Sequence, residues 1–125
     1  MGIRDWFRSR STPGTNTAVA AWFRVTWDPE QVHLDVTPPG HSGWVASFAW
    51  SSVCRVCFKA EGLEASDGIY VFTTLRPESF VIPMEAAGGA AFWNEILKRG
   101  LFSAELAITA ATSLDGVFCW PPLKD

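Results

Sequence analysis

Three cysteines carry the most specific chemistry this chain offers. Cys54-Arg55-Val56-Cys57 has the two-residue spacing of a metal knuckle or a redox pair, and Cys119 with His33 or His41 would complete a ligand set. A small-ligand or metal-binding protein built on Cys54, Cys57 and Cys119 is therefore one function the sequence allows. The flanking Val53, Val56 and Phe58 favour a strand, however, and residues three apart on a strand point to opposite faces unless the strand kinks there. A redox pair would also use a helix N-terminus to depress the thiol pKa, and no second C-x-x-C accompanies this one. The expectation is three reduced thiols serving as small core residues, with no metal and no cofactor.

Other catalytic chemistry finds less support. His33 and His41 are the only histidines, no G-x-S-x-G or H-E-x-x-H accompanies them, and both read as surface residues. Asp28, Glu30 and Asp35 offer paired carboxylates, yet acidic residues at a hairpin end are ordinarily just solvated. Gly88-Gly89 lacks the Lys and Ser/Thr of a phosphate loop and the glycine pattern of a dinucleotide site. The two glycines instead let a helix start pack closely, or mark a break before the turn that carries Phe92. The expectation is a protein that is not an enzyme.

The elements that would position any site must fit into 125 residues, enough for one domain burying roughly two thirds of its unfolded surface. The chain is 48% hydrophobic and 18% charged, but no run of about 18 apolar residues marks a membrane span. No apolar stretch and cleavage site follow the N-terminal arginines, so a secretory signal is not expected and a cytoplasmic home is the default. The net charge is -3; Arg4, Arg8 and Arg10 against Asp5 make the first ten residues +2 and leave -5 for the rest. An acidic body has no basic stripe to track a phosphate backbone, and the seven tryptophans are not set beside cationic grooves. Nucleic-acid binding is not expected.

Residues 1–18 read as a flexible tail, because Ser, Thr, Pro, Gly and Asn crowd Ser9 to Thr17 without either period of a folded element. Arg4, Trp6, Phe7 and Arg8 in that tail suit an anionic membrane surface, which makes peripheral membrane association a second alternative function. Residues 19–125 form the domain. Val19 to Trp27 reads as a strand with Phe23, Val25 and Trp27 on one face, and Asp28-Pro29-Glu30-Gln31 as the turn after it. Val32, Leu34 and Val36 alternate with polar residues as a half-buried strand does. Trp44, Ala46, Phe48 and Trp50 recur at period two, Ser51-Ser52 changes direction, and Val53 to Lys59 is a further strand. Ile69 to Leu75 is apolar on both faces, as a central strand would be. After a turn at Pro77, Phe80 and Ile82 close a short strand.

The period then changes to that of a helix, entered at Pro83, with Phe92, Trp93, Ile96 and Leu97 on one side and Gly100 as its stop. Ser103 caps a second short helix through about Ala111, and Asp115-Gly116 turns the chain into a last strand, Val117 to Trp120.

The run from Trp50 through Phe102, with its Ser66-Asp67-Gly68 turn, the strand IYVF, the Pro-bearing turn, FVIP and the amphipathic helix, resembles the bacterial pleckstrin-homology-like domains of the YcxB type. The resemblance implies an α+β fold: a bent antiparallel sheet or open barrel of five to seven strands, capped by a C-terminal amphipathic helix. It also implies a binding platform. Many pleckstrin-homology domains grip phosphoinositides with basic residues around the first hairpin, whereas Asp28-Pro29-Glu30-Gln31 here would repel a phosphate.

The expected function is therefore a non-enzymatic interaction module that binds a protein partner through a sheet edge or an aromatic patch. Trp22, Trp44, Tyr70 and Trp93 are the candidate anchors, because large aromatics beyond what one small core can hold are the usual interface residues. An unpaired edge would also permit a homodimer.

Overall fold

A computed structural model describes residues 18–61 and 67–122. The fold is α+β: seven strands in two antiparallel sheets, with three helices among the described residues. Helix α1 (Ala18–Trp22) leads directly into β1 (Phe23–Trp27), which pairs with β2 (Gln31–Val36), and β2 pairs with β3 (Trp44–Ala49). A short 3-10 turn, Trp50–Ser52, carries the chain into the second sheet. There β4 (Val53–Glu61), β5 (Gly68–Thr73) and β6 (Arg76–Pro83) form a meander. Helices α2 (Gly89–Lys98) and α3 (Ala104–Ala111) follow, and β7 (Asp115–Trp120) returns to pair with β4. The strand order of this sheet is β6-β5-β4-β7.

Alternation explains the inner faces. Val32, Leu34 and Val36 of β2 are buried, as are Val56, Phe58 and Ala60 of β4 and Ile69 and Val71 of β5. Phe48 of β3 stacks on Phe80 of β6 at 4.7 Å, which joins the two sheets through one core. Helix α2 closes that core: Phe92 lies against Trp27 and Trp50 at 5.8 and 5.7 Å, and Trp93 between Phe58 and Phe102 at 5.1 and 4.8 Å. Phe92 and Ile96 are fully buried, each contributing roughly 1.5–3 kcal/mol of hydrophobic stabilisation.

Four boundaries differ from the sequence expectation, the smallest being that Asp115 and Gly116 lie inside β7 and not in a turn before it. Residues 18–22 are helical because Ala18, Ala20 and Ala21 favour a helix and because Val19 and Trp22, three apart, are both buried while Ala20 and Ala21 are exposed. A strand would have split Val19 from Trp22. The turn before β6 falls at Thr74-Leu75, and Pro77 lies inside the strand, on an edge where no donor is needed. Pro83 ends β6 instead of opening the helix, which begins six residues later.

The intervening residues tie the sheets together. Ala87 donates to the Phe23 carbonyl and accepts from Val25 N at 2.8 and 2.9 Å, covering the outer edge of β1. Gly88 is required there: its φ is +84°, and an added Cβ would lie 2.4 Å from the Val25 oxygen. At the far end of α2, Gly100 (φ +74°) donates to Leu97 O and Leu101 donates to Ile96 O, the paired bonds of a Schellman stop. Ser103 then caps α3, its Oγ accepting from Leu106 N at 3.2 Å.

Candidate protein-interaction site

The cysteines are placed differently from the expectation of three reduced thiols. Cys57 and Cys119 are directly opposed across β4 and β7 and joined as a disulfide. In this state neither sulfur is a thiolate ligand. Cys54 is exposed and sits at a bulge in β4 where the register with β5 shifts, its Sγ donating to Phe72 O at 3.4 Å. The kink considered from sequence is thus present, yet it leaves Cys54 outside while Cys57 is buried. Among the described residues no three His, Cys, Asp or Glu side chains are grouped to hold a metal ion.

One polar constellation escaped the sequence reading. His33 lies between Ser47 Oγ, 2.9 Å from Nδ1, and Asp28 Oδ2, 3.2 Å from Nε2. The residue types are those of an acyl-transfer triad. Their setting is not, since the His33 and Asp28 side chains are 43% and 52% exposed and Ser47 is His33's cross-strand neighbour on an open face. Asp28 instead clamps its turn: Oδ1 accepts from Glu30 N and Gln31 N at 2.8 and 2.7 Å. These two bonds, then the one with His33, hold its carboxyl below the ordinary value. His41 is exposed in the loop before β3.

Sheet edges are where this fold can accept another chain. Edge strand β6 begins with Arg76, Pro77 and Glu78, a charged and proline-bearing start that discourages pairing. Edge strand β3 exposes Trp44 and Val45. The third edge, β7, combines the required features. Among the described residues no strand lies on its far side, and α3 runs beside it to form a groove of about 500 Å³. Leu106 and Thr109 line the helix side of the groove, Val117, Phe118 and Trp120 the strand side, and Glu105 its rim. Val117 is 58% exposed, Trp120 39%, and Leu114, just before the strand, 71%.

The backbone of this edge can be assigned. Cys57 and Cys119 have Cα atoms 4.0 Å apart, the close spacing of a non-hydrogen-bonded antiparallel pair. Alternation along the ladder makes 59/117 and 61/115 the same kind of pair. The N–H and C=O groups of Asp115, Val117 and Cys119 therefore point away from β4, and those of Val117 and Cys119 face the groove.

The residues singled out from sequence are dispersed. Trp22 is buried at the end of α1, and Trp93 is half-buried between Phe58 and Phe102. Tyr70 is half-buried on β5, and Trp44 is 43% exposed with its ring edge-on to Phe23. The structure brings none of these four together with the β7 groove. Arg4, Trp6, Phe7 and Arg8 lie outside the described residues. Leu114, Val117 and Trp120 were missed as surface residues because pairing order, which the sequence does not spell out, decides that β7 is an edge. Ile108 carried a signal: it falls off the helical face shared by Leu106, Ala107 and Ala110, and it is exposed.

The chain matches no protein-family model, no curated protein and no solved structure. No helix among the described residues is long and apolar enough to cross a membrane.

Proposed function

We propose that this protein is a non-enzymatic interaction module that takes an extended segment of a protein partner as an added strand on β7. The observation that carries the reading is the β7 edge beside α3, unpaired among the described residues, with the backbone groups of Asp115, Val117 and Cys119 directed away from β4 and two of these residues, Val117 and Cys119, lining an apolar-walled groove. Strand addition supplies affinity through main-chain hydrogen bonds, and alternate side-chain pockets supply selectivity. Here Trp120 and Leu106 offer apolar surface and Glu105 a carboxylate at the rim.

The fold proposal that goes with it is a pleckstrin-homology-like scaffold, supported by the seven antiparallel strands in two sheets and by α2 closing the core. Beyond α2, which the resemblance implies as the cap, the described part continues through the second short helix and the last strand expected from sequence, α3 and β7. The metal-binding alternative on Cys54, Cys57 and Cys119 draws no support from a bonded Cys57–Cys119 pair. Such pairs persist where thiols are oxidised, which draws the proposal away from a reducing cytoplasm.

The test is affinity capture from native extract with three versions run in parallel: wild type, Val117→Lys on the edge, and Leu75→Lys on the remote exposed turn between β5 and β6. A partner kept by Leu75→Lys and lost by Val117→Lys is the expected result. A partner set that Val117→Lys leaves unchanged would overturn the edge as the binding surface.

A further inference from the structure

We propose that the partner on β7 is a second copy of this chain, the two β7 strands pairing antiparallel about a two-fold axis at Val117 to make one eight-stranded sheet. The inference rests on the edge reading above and names its occupant.

The register follows from the backbone. The outward N–H and C=O groups belong to residues 115, 117 and 119, so pairing Val117 with itself sets Asp115 opposite Cys119 of the other copy, twice, and every outward group of β7 finds a partner. The same register places Leu114 opposite Trp120. The exposed large apolar residues in and beside the strand, Leu114, Val117 and Trp120, are thereby all matched with one another.

Charge points the same way. The edge is acidic at one end, at Asp115, and basic at the other, where Arg55 reaches over the strand end to donate to Pro121 O and Pro122 O at 2.9 and 3.4 Å. Arg55 and Asp115 lie on the same face of the sheet, because both alternate in step with the opposed Cys57 and Cys119. Antiparallel self-pairing brings the acidic end of one copy beside the basic end of the other, and keeps the two Asp115 carboxylates apart. Parallel pairing would set like ends together, which is unfavourable. A six-residue strand with a groove on one side is a small interface, so the dimer is reversible and concentration-dependent, not obligate.

Sedimentation velocity over a wide concentration range tests the inference on the full chain. Wild type and Leu75→Lys should move from monomer to dimer together, while Val117→Lys, which sets two like charges side by side on the axis, should weaken dimerisation about tenfold or more, with a melting temperature lowered by only a few degrees through the added like charge opposite Lys59 of the same copy. Position can be read independently in a Cys54→Ser background with a short thiol crosslinker. Val117→Cys should link copy to copy, and Asp115→Cys, four residues out of register with itself, should not. A chain that stays monomeric throughout, a dimer indifferent to Val117→Lys, or equal linking at both positions would overturn the second copy as occupant. If the chain is monomeric yet Val117→Lys still loses a captured protein, the edge reading stands and only its occupant is wrong. If neither property responds to Val117→Lys, both readings fail.

Discussion

Cys57 and Cys119 face each other across β4 and β7 and are covalently joined, so β7 is locked to the sheet whose edge it forms among the described residues. The bond closes a separation of 62 residues that includes β5, β6 and both helices α2 and α3. In the chain-entropy account such a loop contributes about 4 kcal/mol by restricting the unfolded chain. Thiol titration of folded protein prepared without reductant should therefore find one reactive group, Cys54, and three after unfolding in reductant. Three reactive thiols in untreated protein would contradict the pairing. Replacing both Cys57 and Cys119 by Ala should lower the denaturant midpoint and loosen β7 first.

Gly88 and Gly100 both have positive φ, but only Gly88 is crowded, with the Val25 carbonyl where a Cβ would be, while Gly100 has open space. Gly100→Ala should cost about 1–2 kcal/mol, the strain of the left-handed region alone. Gly88→Ala should cost clearly more, because the 84–88 segment must also withdraw from β1. Chemical denaturation of the two variants checks the order, and equal costs would mean that the contact with Val25 is not a constraint.

Asp28 gives the fold a pH dependence of known sign. Its carboxyl is held below the ordinary value of 3.8, first by the backbone N–H groups of Glu30 and Gln31 and then by His33. A group with a depressed folded pKa adds stability that is present above the unfolded value and is lost as pH falls through the folded one. The advantage of wild type over Asp28→Ala, followed by urea unfolding from neutral to strongly acidic pH, should be flat above the carboxylate range and shrink below it. An advantage that grew on acidification would contradict this account of the turn.

The Asp28, His33 and Ser47 row is assigned to structure. Its members face solvent, and a relay exposed to water gains little from hydrogen bonds that must be preorganised in a dry site. Any slow hydrolysis of p-nitrophenyl acetate by the purified chain should be the same for wild type and Ser47→Ala. A selective loss in Ser47→Ala would make the row a catalytic site.

Much of the fold was legible because local chemistry agreed with it. The alternation of Val32, Leu34 and Val36, the apolar two-faced β5 and the stops and caps at Gly100 and Ser103 each follow from a short-range rule, and each is found. Residues 18–22 were misread because Val19 and Trp22 fit a short strand as easily as one turn of helix until burial is known. Pro83 was misread because proline suits a strand end as well as a helix entry. The candidate site was the least legible part. Leu114, Val117 and Trp120 become a surface only because β7 pairs with β4 after a long excursion, and the disulfide that fixes this joins residues far apart in sequence.

Residue-resolved amide exchange of dilute protein, followed by NMR, tests the open edge most directly. The account predicts alternation along β7: the N–H groups of Val117 and Cys119, directed into the groove, exchange fast, while those of Gly116, Phe118 and Trp120, directed at β4, are protected. On engagement of a strand at the edge, Val117 and Cys119 should become protected too. Uniform protection of all five amides in dilute protein, at concentrations where the chain is monomeric, would show that the edge is already covered and would contradict the proposal that β7 is the surface through which this protein binds.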